Sequence, residues 1–498
     1  MLFNSLGFLI FLPIVAVLYY VIPKKVRYLW LLGASYYFYM CWNAKYALLM
    51  LFSTAVTYLG GLGIAFFESR NWDEKKRTTW KKLCVAFSFI LNLLVLVFFK
   101  YSNFLLDNVQ KIFSAVNISL NVPIFDIILP VGISFYTFQA LSYTMDVYRG
   151  EIYAEKNFFR YALFVSFFPQ LVAGPIERSK NLLKQLAVPK SFSYHNFLEG
   201  LLLMLWGYFM KVVLADRIAI FVDTVYGDFG AYGGWYLIVA TVLFAFQIYC
   251  DFGGYSTIAM GAAKMLGIDL MENFDAPYLA RSTSEFWRRW HISLSTWFRD
   301  YLYIPLGGNR KGKLRKYFNL QTVFLVSGLW HGANWSYVIW GGLNGIWQIL
   351  GEIIKPARRK LTAALGLKRD SFSHKLLQTL ITFVLIDFTW IFFRADRFMD
   401  ALKIIVSMVR NWNPWVLFDN SIYNCGLDQK DFSVMLIAMC VLLVADIAKY
   451  KGICIRKKIM EQDFWFQCVL IAISVAVILV FGIYGSGYDA ASFIYFQF

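Results

Sequence analysis

The sequence is dominated by a repeated pattern in which apolar runs, about 20 residues long, alternate with short clusters of lysine and arginine. A run of this length forms a helix that spans the hydrocarbon layer of a membrane. Only 16% of the 498 residues are charged and 59% are apolar, whereas a water-soluble domain carries about 25% charged residues. A single water-soluble core is therefore excluded, and the sequence predicts an all-α polytopic membrane protein.

The apolar runs give the expected positions of the membrane spans. A first run begins at Leu2, and a run at 317–354 is long enough for two helices. Counting tilted and re-entrant segments together, we expect about 11 to 14 helices. The remaining runs lie at 28–42, 46–67, 83–99, 127–148, 158–174, 197–214, 234–250, 376–393, 432–448 and 464–484.

The basic clusters predict the orientation in the membrane, because positively charged loops stay in the cytoplasm. The first run is followed by Lys24, Lys25 and Arg27, which reverses the charge order of a signal peptide and predicts a retained first span with its N-terminus outside. The formal net charge of +17 thus reflects topology, and we expect no nucleic-acid partner. The loops assigned to the cytoplasm are 70–82, 310–316, 355–369 and 449–458, whereas 411–431 and the C-terminal tail are assigned outside.

The middle of the chain, 150–316, differs because glycine, proline and charged residues interrupt its apolar runs. Broken backbone at membrane depth is tolerated only where protein or a water-filled cavity surrounds it. We therefore expect re-entrant segments and a functional site there. No repeat or linker divides the chain, so we expect one transmembrane domain over 1–498, with N-terminal spans in 1–126, a catalytic core in 127–394 and C-terminal spans in 395–498.

Two of the four histidines stand out. If the basic loops at either end of the 317–354 run share one side of the membrane, the chain turns near Gly332 to Trp335, and this turn places His331 at membrane depth. An ionisable side chain there is a functional candidate, and a neutral imidazole suits general-base activation of a hydroxyl. The alternative is a histidine that only hydrogen-bonds between helices. His195 and His374 lie in loops.

His291 lies in a segment that mixes tryptophans with Arg288, Arg289 and Arg299. This mixture is typical of a helix at the membrane interface, with aromatic rings at the level of the headgroups. A second interpretation is that the arginines bind the phosphates of a bulky acyl donor. Both interpretations stay open on the sequence.

Several other chemistries are disfavoured. The segment 307–313 has the spacing of a phosphate loop, but Leu314 stands where a serine or threonine must reach magnesium, and no strand is expected before it. Seven scattered cysteines provide neither a disulfide framework nor a metal site. Asp146, Asp251 and Asp387 lie in or beside apolar runs, and we expect each to anchor a nearby tyrosine or arginine, with a proton-relay role as the alternative.

Several motifs, in order along the chain, resemble the membrane-bound O-acyltransferases, in particular the bacterial branch that acts in alginate O-acetylation. The closing segment 493–498 (FIYFQF) and the chain length favour the alginate-type members. The matching segments are 129–139 (LPVGISFYTFQ), 168–178 (FPQLVAGPIER), 249–255 (YCDFGGY), 286–291 (FWRRWH), 303–310 (YIPLGGNR), 329–332 (LWHG) and 390–394 (WIFFR).

The resemblance implies transfer of an acyl group, usually acetyl, to an extracytoplasmic polysaccharide or its carrier. It implies His331 as the catalytic histidine, with His291 as a second site residue. It also implies a ring of tilted helices around a central funnel, a location in the cytoplasmic (inner) membrane, and an extracytoplasmic partner transferase of the SGNH type, because this chain carries no Gly-x-Ser-x-Gly motif of its own.

On this basis we expect acetyl-CoA, or another acyl thioester, as a donor substrate and no bound cofactor or metal. We expect His331 to take the hydroxyl proton and His291 to orient the donor, while Asn334 or the Gly332 backbone helps to hold the oxyanion. Two alternatives remain: a transporter or flippase of an acylated lipid or sugar, and an O-acyltransferase that acts on lipids.

Overall fold

The structure, a computed structural model, describes residues 1–119, 123, 125, 129–172 and 174–484. Every regular element in these residues is helical. Helices satisfy all their backbone hydrogen bonds internally, which apolar surroundings require. The all-α class expected from the sequence is confirmed, whereas the C-terminal tail and the 493–498 segment lie outside the described residues.

The helices are numbered α1 to α22 in chain order. The first half of the chain contains α1 (Leu6–Val21), α2 (Arg27–Met40), α3 (Ala47–Glu68), α4 (Glu74–Leu96), α5 (Ser102–Ala115), α6 (Ile133–Tyr148), α7 (Phe158–Ser166), α8 (Phe168–Leu171), α9 (Ser179–Ala187), α10 (Tyr194–Tyr208) and α11 (Asp216–Gly227). The second half contains α12 (Trp235–Met265), α13 (Thr283–Arg289), α14 (Ile292–Phe298), α15 (Gly312–His331), α16 (Trp335–Ile353), α17 (Lys355–Ala364), α18 (Phe372–Arg394), α19 (Phe398–Arg410), α20 (Gln429–Tyr450), α21 (Ile455–Met460) and α22 (Phe464–Phe481).

Seven helical segments of the described chain are long and apolar enough to cross a membrane. The protein is therefore a multi-pass membrane protein, as the composition predicts. The expected total of about 11 to 14 helices stays a prediction. The seven segments are Ala44–Glu68, Glu74–Ala115, Tyr194–Gly227, Trp235–Met265, Phe372–Arg394, Gln429–Tyr450 and Phe464–Phe481.

The described chain divides into two compact units, and the first comprises 1–201 with 259–271. In this unit the apolar run at 158–174 is not one helix, because α7 ends at Ser166 and the four-residue α8 follows after Phe167. The backbone N–H of Phe168 donates to the Ser35 hydroxyl at 3.1 Å, and the Phe168 ring packs edge-on against Phe11 at 5.2 Å. The interrupted backbone expected in the middle of the chain is thus present here, satisfied by a neighbouring helix.

The second unit comprises 202–258 with 272–498 and contains both candidate histidines. Its central feature is an antiparallel pair formed by α15 and α16, which turns between His331 and Trp335, and the turn expected from the sequence is confirmed. A Cβ atom added to Gly328 would lie 2.2 Å from the Tyr337 carbonyl oxygen, and one added to Gly341 would lie 2.2 Å from the Phe324 carbonyl oxygen. Small residues therefore let the two helix backbones pack directly together.

The segment around His291 is not one continuous helix, while its position at the membrane interface stays a prediction. The segment forms two seven-residue helices, α13 and α14, and His291 lies between them with φ of +44°. A left-handed residue cannot continue a right-handed helix, so the chain changes direction at this histidine. The described chain divides into the two compact units given above. The single domain expected over 1–498 therefore stays a prediction.

Candidate active site

His331 is the last residue of α15, and only 4% of its surface is exposed. Its imidazole lies 5.0 Å from the Trp340 ring of α16 and 5.4 Å from the Phe393 ring of α18, measured between ring centroids. Both contacts are close to perpendicular, at 87° and 75°. Edge-to-face contacts of this kind favour one orientation of the imidazole ring. The two ring nitrogens then face different surroundings and can have different roles. The interior position expected for His331 is thus observed, with aromatic side chains as its neighbours.

His291 is 1% exposed and packs against a different set of rings. Its imidazole lies 4.7 Å from Phe252 of α12 and 6.0 Å from Trp330. Trp330 also lies 5.0 Å from His331, the residue that follows it. One indole therefore contacts both candidate histidines, which are 40 positions apart in the chain.

An aromatic cluster connects three motifs that are distant in sequence. Trp290 lies 5.1 Å from Trp390, Trp390 stacks on Trp340 at 5.7 Å, and Trp340 contacts His331. Each well-packed aromatic pair contributes about 0.5 to 1.5 kcal/mol beyond its buried area. The segments 286–291, 329–332 and 390–394 thus meet in one rigid assembly. The members of the aromatic cluster are Trp287, Trp290, Trp330, Trp340, Trp390 and Phe393.

A buried amide ties the same helices together through hydrogen bonds. The Asn344 carbonyl oxygen accepts from the Trp287 indole N–H at 3.3 Å, and its amide donates to the Trp340 carbonyl at 2.8 Å and the Thr389 hydroxyl at 3.3 Å. A buried polar side chain that is hydrogen-bonded in this way stabilises the contact between the helices and fixes their alignment along each other. Asn344 was not identified from the sequence, because an asparagine in an apolar run carries no local signal of its partners.

The three arginines expected to bind the donor occupy different surroundings. Arg289 is the most constrained, since its guanidinium donates to the Asp275 carboxylate at 2.7 Å and to the Glu285 carboxylate at 3.1 Å. Arg288 is exposed, and Arg299 pairs at 2.8 Å with Asp300 while retaining 60% side-chain exposure. Arg288 and Arg299 are therefore more available to an anionic donor than Arg289 is, and the donor-binding role of all three stays a prediction.

Asn334 caps the N-terminus of α16. Its side-chain oxygen accepts from the Ser336 N–H at 3.0 Å, and its amide donates to the Asp396 carbonyl at 2.7 Å. Asn334 is three residues from His331 in the turn, and the intervening Gly332 N–H points back to the Gly328 carbonyl at 3.4 Å. The structure shows Asn334 as a helix cap. The oxyanion role expected for Asn334 and the Gly332 backbone stays a prediction.

A buried ionic cluster in the second unit was missed by the sequence analysis. The Lys211 ammonium lies 2.8 Å from an Asp216 oxygen and 2.6 Å from an Asp251 oxygen, and all three side chains are at most 5% exposed. Lys211 lies in a π-helical segment, Phe209–Ala215, between α10 and α11. The expectation that Asp251 anchors a tyrosine or arginine is corrected, because its close partner is a lysine. A lysine inside the 197–214 apolar run was the signal that could have indicated it.

Comparisons with known proteins agree with these motifs. A family model described as "MBOAT, membrane-bound O-acyltransferase family" matches residues 154–395, which include both histidines. A probable alginate O-acetylase of Azotobacter vinelandii is 36% identical over 90% of this chain and 86% of its own length. A probable alginate O-acetylase of Pseudomonas aeruginosa is 39% identical over 84% and 76%. A peptidoglycan O-acetyltransferase of Helicobacter pylori is 35% identical over 82% and 80%.

Proposed function

We propose, since this chain belongs to the membrane-bound O-acyltransferase family and is an acyltransferase, that it moves an acetyl group from a cytoplasmic thioester to an extracytoplasmic hydroxyl. The relatives at 35% to 39% identity are named for O-acetylation of alginate or of peptidoglycan, which supports acetyl as the acyl group. The acceptor is a polysaccharide hydroxyl, or the serine of an SGNH-type partner that passes the acetyl group on. The reaction takes place in the cytoplasmic membrane.

The donor in this proposal is acetyl-CoA. Its phosphates are anionic, and the cluster of basic residues in 310–316, together with Arg288 and Arg299, provides positive charge on the side that we assign to the cytoplasm. A thioester is a suitable donor because its carbonyl carbon is readily attacked by a hydroxyl oxygen once the proton is removed. The acetyl group is the only part of the donor that has to reach the acceptor.

His331 acts as the general base of the proposed reaction. One imidazole nitrogen takes the proton of the acceptor hydroxyl as its oxygen attacks the thioester carbonyl carbon, and the carbonyl oxygen becomes an oxyanion. Collapse of this intermediate breaks the carbon–sulfur bond, and the departing thiolate takes the proton back from His331. The products are an acetyl ester and a free thiol, so the enzyme returns to its starting state.

One observation carries this assignment: His331 ends α15 at a helical turn, and rings from α16 and α18 hold its imidazole nearly perpendicular to them. A base that is fixed by its neighbours loses little freedom when the reactants bind, which favours catalysis over a purely structural role. His291 shares the Trp330 contact and would orient the donor. The oxyanion would be held by Asn334 or by the backbone at Gly332.

The test is transfer of radiolabelled acetyl from acetyl-CoA in membranes that contain the full-length protein, with alginate and peptidoglycan fragments offered as separate acceptors. A general base contributes roughly 10² to 10⁴ fold, so His331→Ala should lose activity by that factor while it remains in the membrane at the wild-type level. His195→Ala is the matched control, since His195 is exposed. If His331→Ala keeps most of the activity, the assignment is wrong.

The same assay distinguishes the two alternative functions. A transporter or flippase would move the label across the membrane without forming a new acetyl ester. An acyltransferase for lipids would prefer palmitoyl-CoA over acetyl-CoA in direct competition. Either result would contradict the proposed acetyl transfer to a polysaccharide or partner hydroxyl.

A further inference from the structure

The first unit contains a cavity of about 270 Å³ whose wall is strongly basic. It is bordered by the connection between α1 and α2, by α7 and by the end of α9. The cations in its wall are Lys24, Lys25, Arg27 and Arg160, and no aspartate or glutamate lines it. Tyr19 and Tyr28 provide aromatic surface beside these charges.

Only part of the positive charge of this cavity is balanced by carboxylates among the described residues. Arg160 pairs with Glu155 at 3.3 Å. None of the ion pairs found within the described ranges involves Lys24, Lys25 or Arg27. A cavity wall with such an excess of positive charge attracts an anion.

The two arginines hold different positions in the wall. Arg27 is 8% exposed and donates to the Ile22, Lys190 and Tyr20 carbonyls, so its guanidinium is fixed in place without a carboxylate partner among the described residues. Arg160 lies over the Tyr28 ring at 5.8 Å, and its buried Nε–H has no acceptor among the residues that the structure describes. A buried donor without an acceptor is unfavourable, and an anionic oxygen in the cavity would satisfy it.

The surroundings of the cavity are apolar on one side. Four residues along one face of α1 are strongly exposed: Ile10 at 56%, Ile14 at 51%, Val17 at 62% and Val21 at 74%. Their spacing places them in a single stripe along the helix, which ends three residues before Lys24. An exposed apolar stripe on a membrane protein is covered by acyl chains. A ligand with both an anionic head and apolar chains would match the cavity and the stripe together.

We propose that this cavity binds the headgroup phosphate of an anionic phospholipid, with the acyl chains lying along the exposed face of α1. Basic pockets between helices on the cytoplasmic side of membrane proteins are suited to anionic headgroups, and the Lys24–Lys25 loop is on the side that we assign to the cytoplasm. The exposed lysines meet the headgroup first, while Arg27 and Arg160 contact the phosphate deeper in the cavity. The bound lipid would then be part of the folded first unit.

The test is titration of the purified full-length protein with phosphatidylglycerol and, separately, with phosphatidylcholine, with bound lipid counted by native mass spectrometry. The wild type should bind the anionic lipid more tightly than the zwitterionic one. Replacement of both lysines, Lys24→Gln with Lys25→Gln, removes two cations worth about tenfold in affinity or more, so binding of phosphatidylglycerol should weaken by at least that factor. Arg160→Gln should weaken it as well.

A matched control separates this cavity from general surface charge. Lys457 and Lys458 are exposed and lie in α21, within another basic segment, so Lys457→Gln with Lys458→Gln makes the same change of charge outside the cavity. This double variant should bind phosphatidylglycerol within twofold of the wild type. Equal losses in the two double variants would overturn the proposal, as would equal binding of phosphatidylcholine and phosphatidylglycerol.

A second arm distinguishes a lipid from a soluble phosphate. Glycerol 3-phosphate carries the anionic group without acyl chains, so it should displace phosphatidylglycerol only at a large excess. Val17→Asn with Val21→Asn should weaken lipid binding because it makes the stripe polar, while the basic residues are unchanged. Displacement by glycerol 3-phosphate at equal concentration would assign the cavity to a soluble ligand and contradict the lipid proposal.

Discussion

The imidazole of His331 meets the indole of Trp340 at 5.0 Å, with the two ring planes at 87°. Trp340 is 1% exposed, and it also stacks on Trp390 at 5.7 Å. The orientation of the proposed base is therefore set by a side chain that is itself fixed by the next helix. A catalytic group held in this way depends on the residues that pack around it.

Trp340→Phe keeps an aromatic edge near His331, whereas Trp340→Leu removes it. An edge-to-face contact is worth about 0.5 to 1.5 kcal/mol, so we expect acetyl transfer to fall two- to tenfold in Trp340→Leu and less in Trp340→Phe. The measurement is kcat in purified protein, compared with the melting temperature of each variant. If the loss of kcat in each variant only follows its loss of melting temperature, Trp340 serves packing alone.

Two substitutions at His291 distinguish the effect of its strained backbone from the effect of its imidazole. Its φ of +44° is unfavourable for most residues, by about 1 to 2 kcal/mol, but asparagine tolerates this region. We expect His291→Asn to keep the wild-type melting temperature and His291→Ala to lower it. Both should reduce acetyl transfer if the imidazole orients the donor. Full activity in the stable His291→Asn protein would show that the imidazole is dispensable.

Lys211→Met should strongly destabilise the protein. The substitution leaves the buried carboxylates of Asp216 and Asp251 without their cation, and breaking a buried ion pair costs about 3 to 5 kcal/mol. Thermal unfolding in detergent measures the loss. A triple variant, Lys211→Met with Asp216→Asn and Asp251→Asn, removes all three charges and should recover a large part of the stability. A triple variant as unstable as Lys211→Met would contradict an electrostatic origin.

Gly328→Val should separate α15 from α16. Its Cβ would lie 2.2 Å from the Tyr337 carbonyl oxygen, which the backbone of α16 cannot avoid without shifting. We expect loss of both stability and acetyl transfer, because this contact positions His331 at the end of α15. Gly33→Ala in α2 is the control, since its added Cβ meets nothing within 4 Å and alanine favours a helix over glycine by about 0.5 to 1 kcal/mol. The control should be as stable as the wild type or more so.

Arg288→Gln with Arg299→Gln tests the donor site. Each guanidinium could make charge-assisted hydrogen bonds worth about 1.5 to 3 kcal/mol, so their joint loss should raise the KM for acetyl-CoA at least tenfold with little change in kcat. The exposed pair Lys457→Gln with Lys458→Gln again provides the same change of charge elsewhere. An unchanged KM would remove these arginines from the donor site and favour a role at the membrane interface.

Local features of the sequence predicted much of the architecture. Hydropathy predicted the all-α class and the long apolar helices, because a helix satisfies its backbone hydrogen bonds internally, whereas the 158–174 run proved to be broken after Ser166. The turn between α15 and α16 followed from the length of the 317–354 run and from the basic residues at its ends. His291 and His331 were identified because histidines are scarce and both lie in motifs that resemble those of acyltransferases. These inferences depend on composition and on position along the chain.

The sequence by itself determined the helices, the basic loops and the candidate histidines, because hydrophobic length and charge act locally. Only the tertiary structure decided that Trp330 contacts both histidines, that His291 breaks its helix with a positive φ, and that Lys211 pairs with two carboxylates from different helices. These features arise from packing between segments distant in the chain. Local periodicity carries no information about which side chains will meet, so three-dimensional packing was needed to assemble the site.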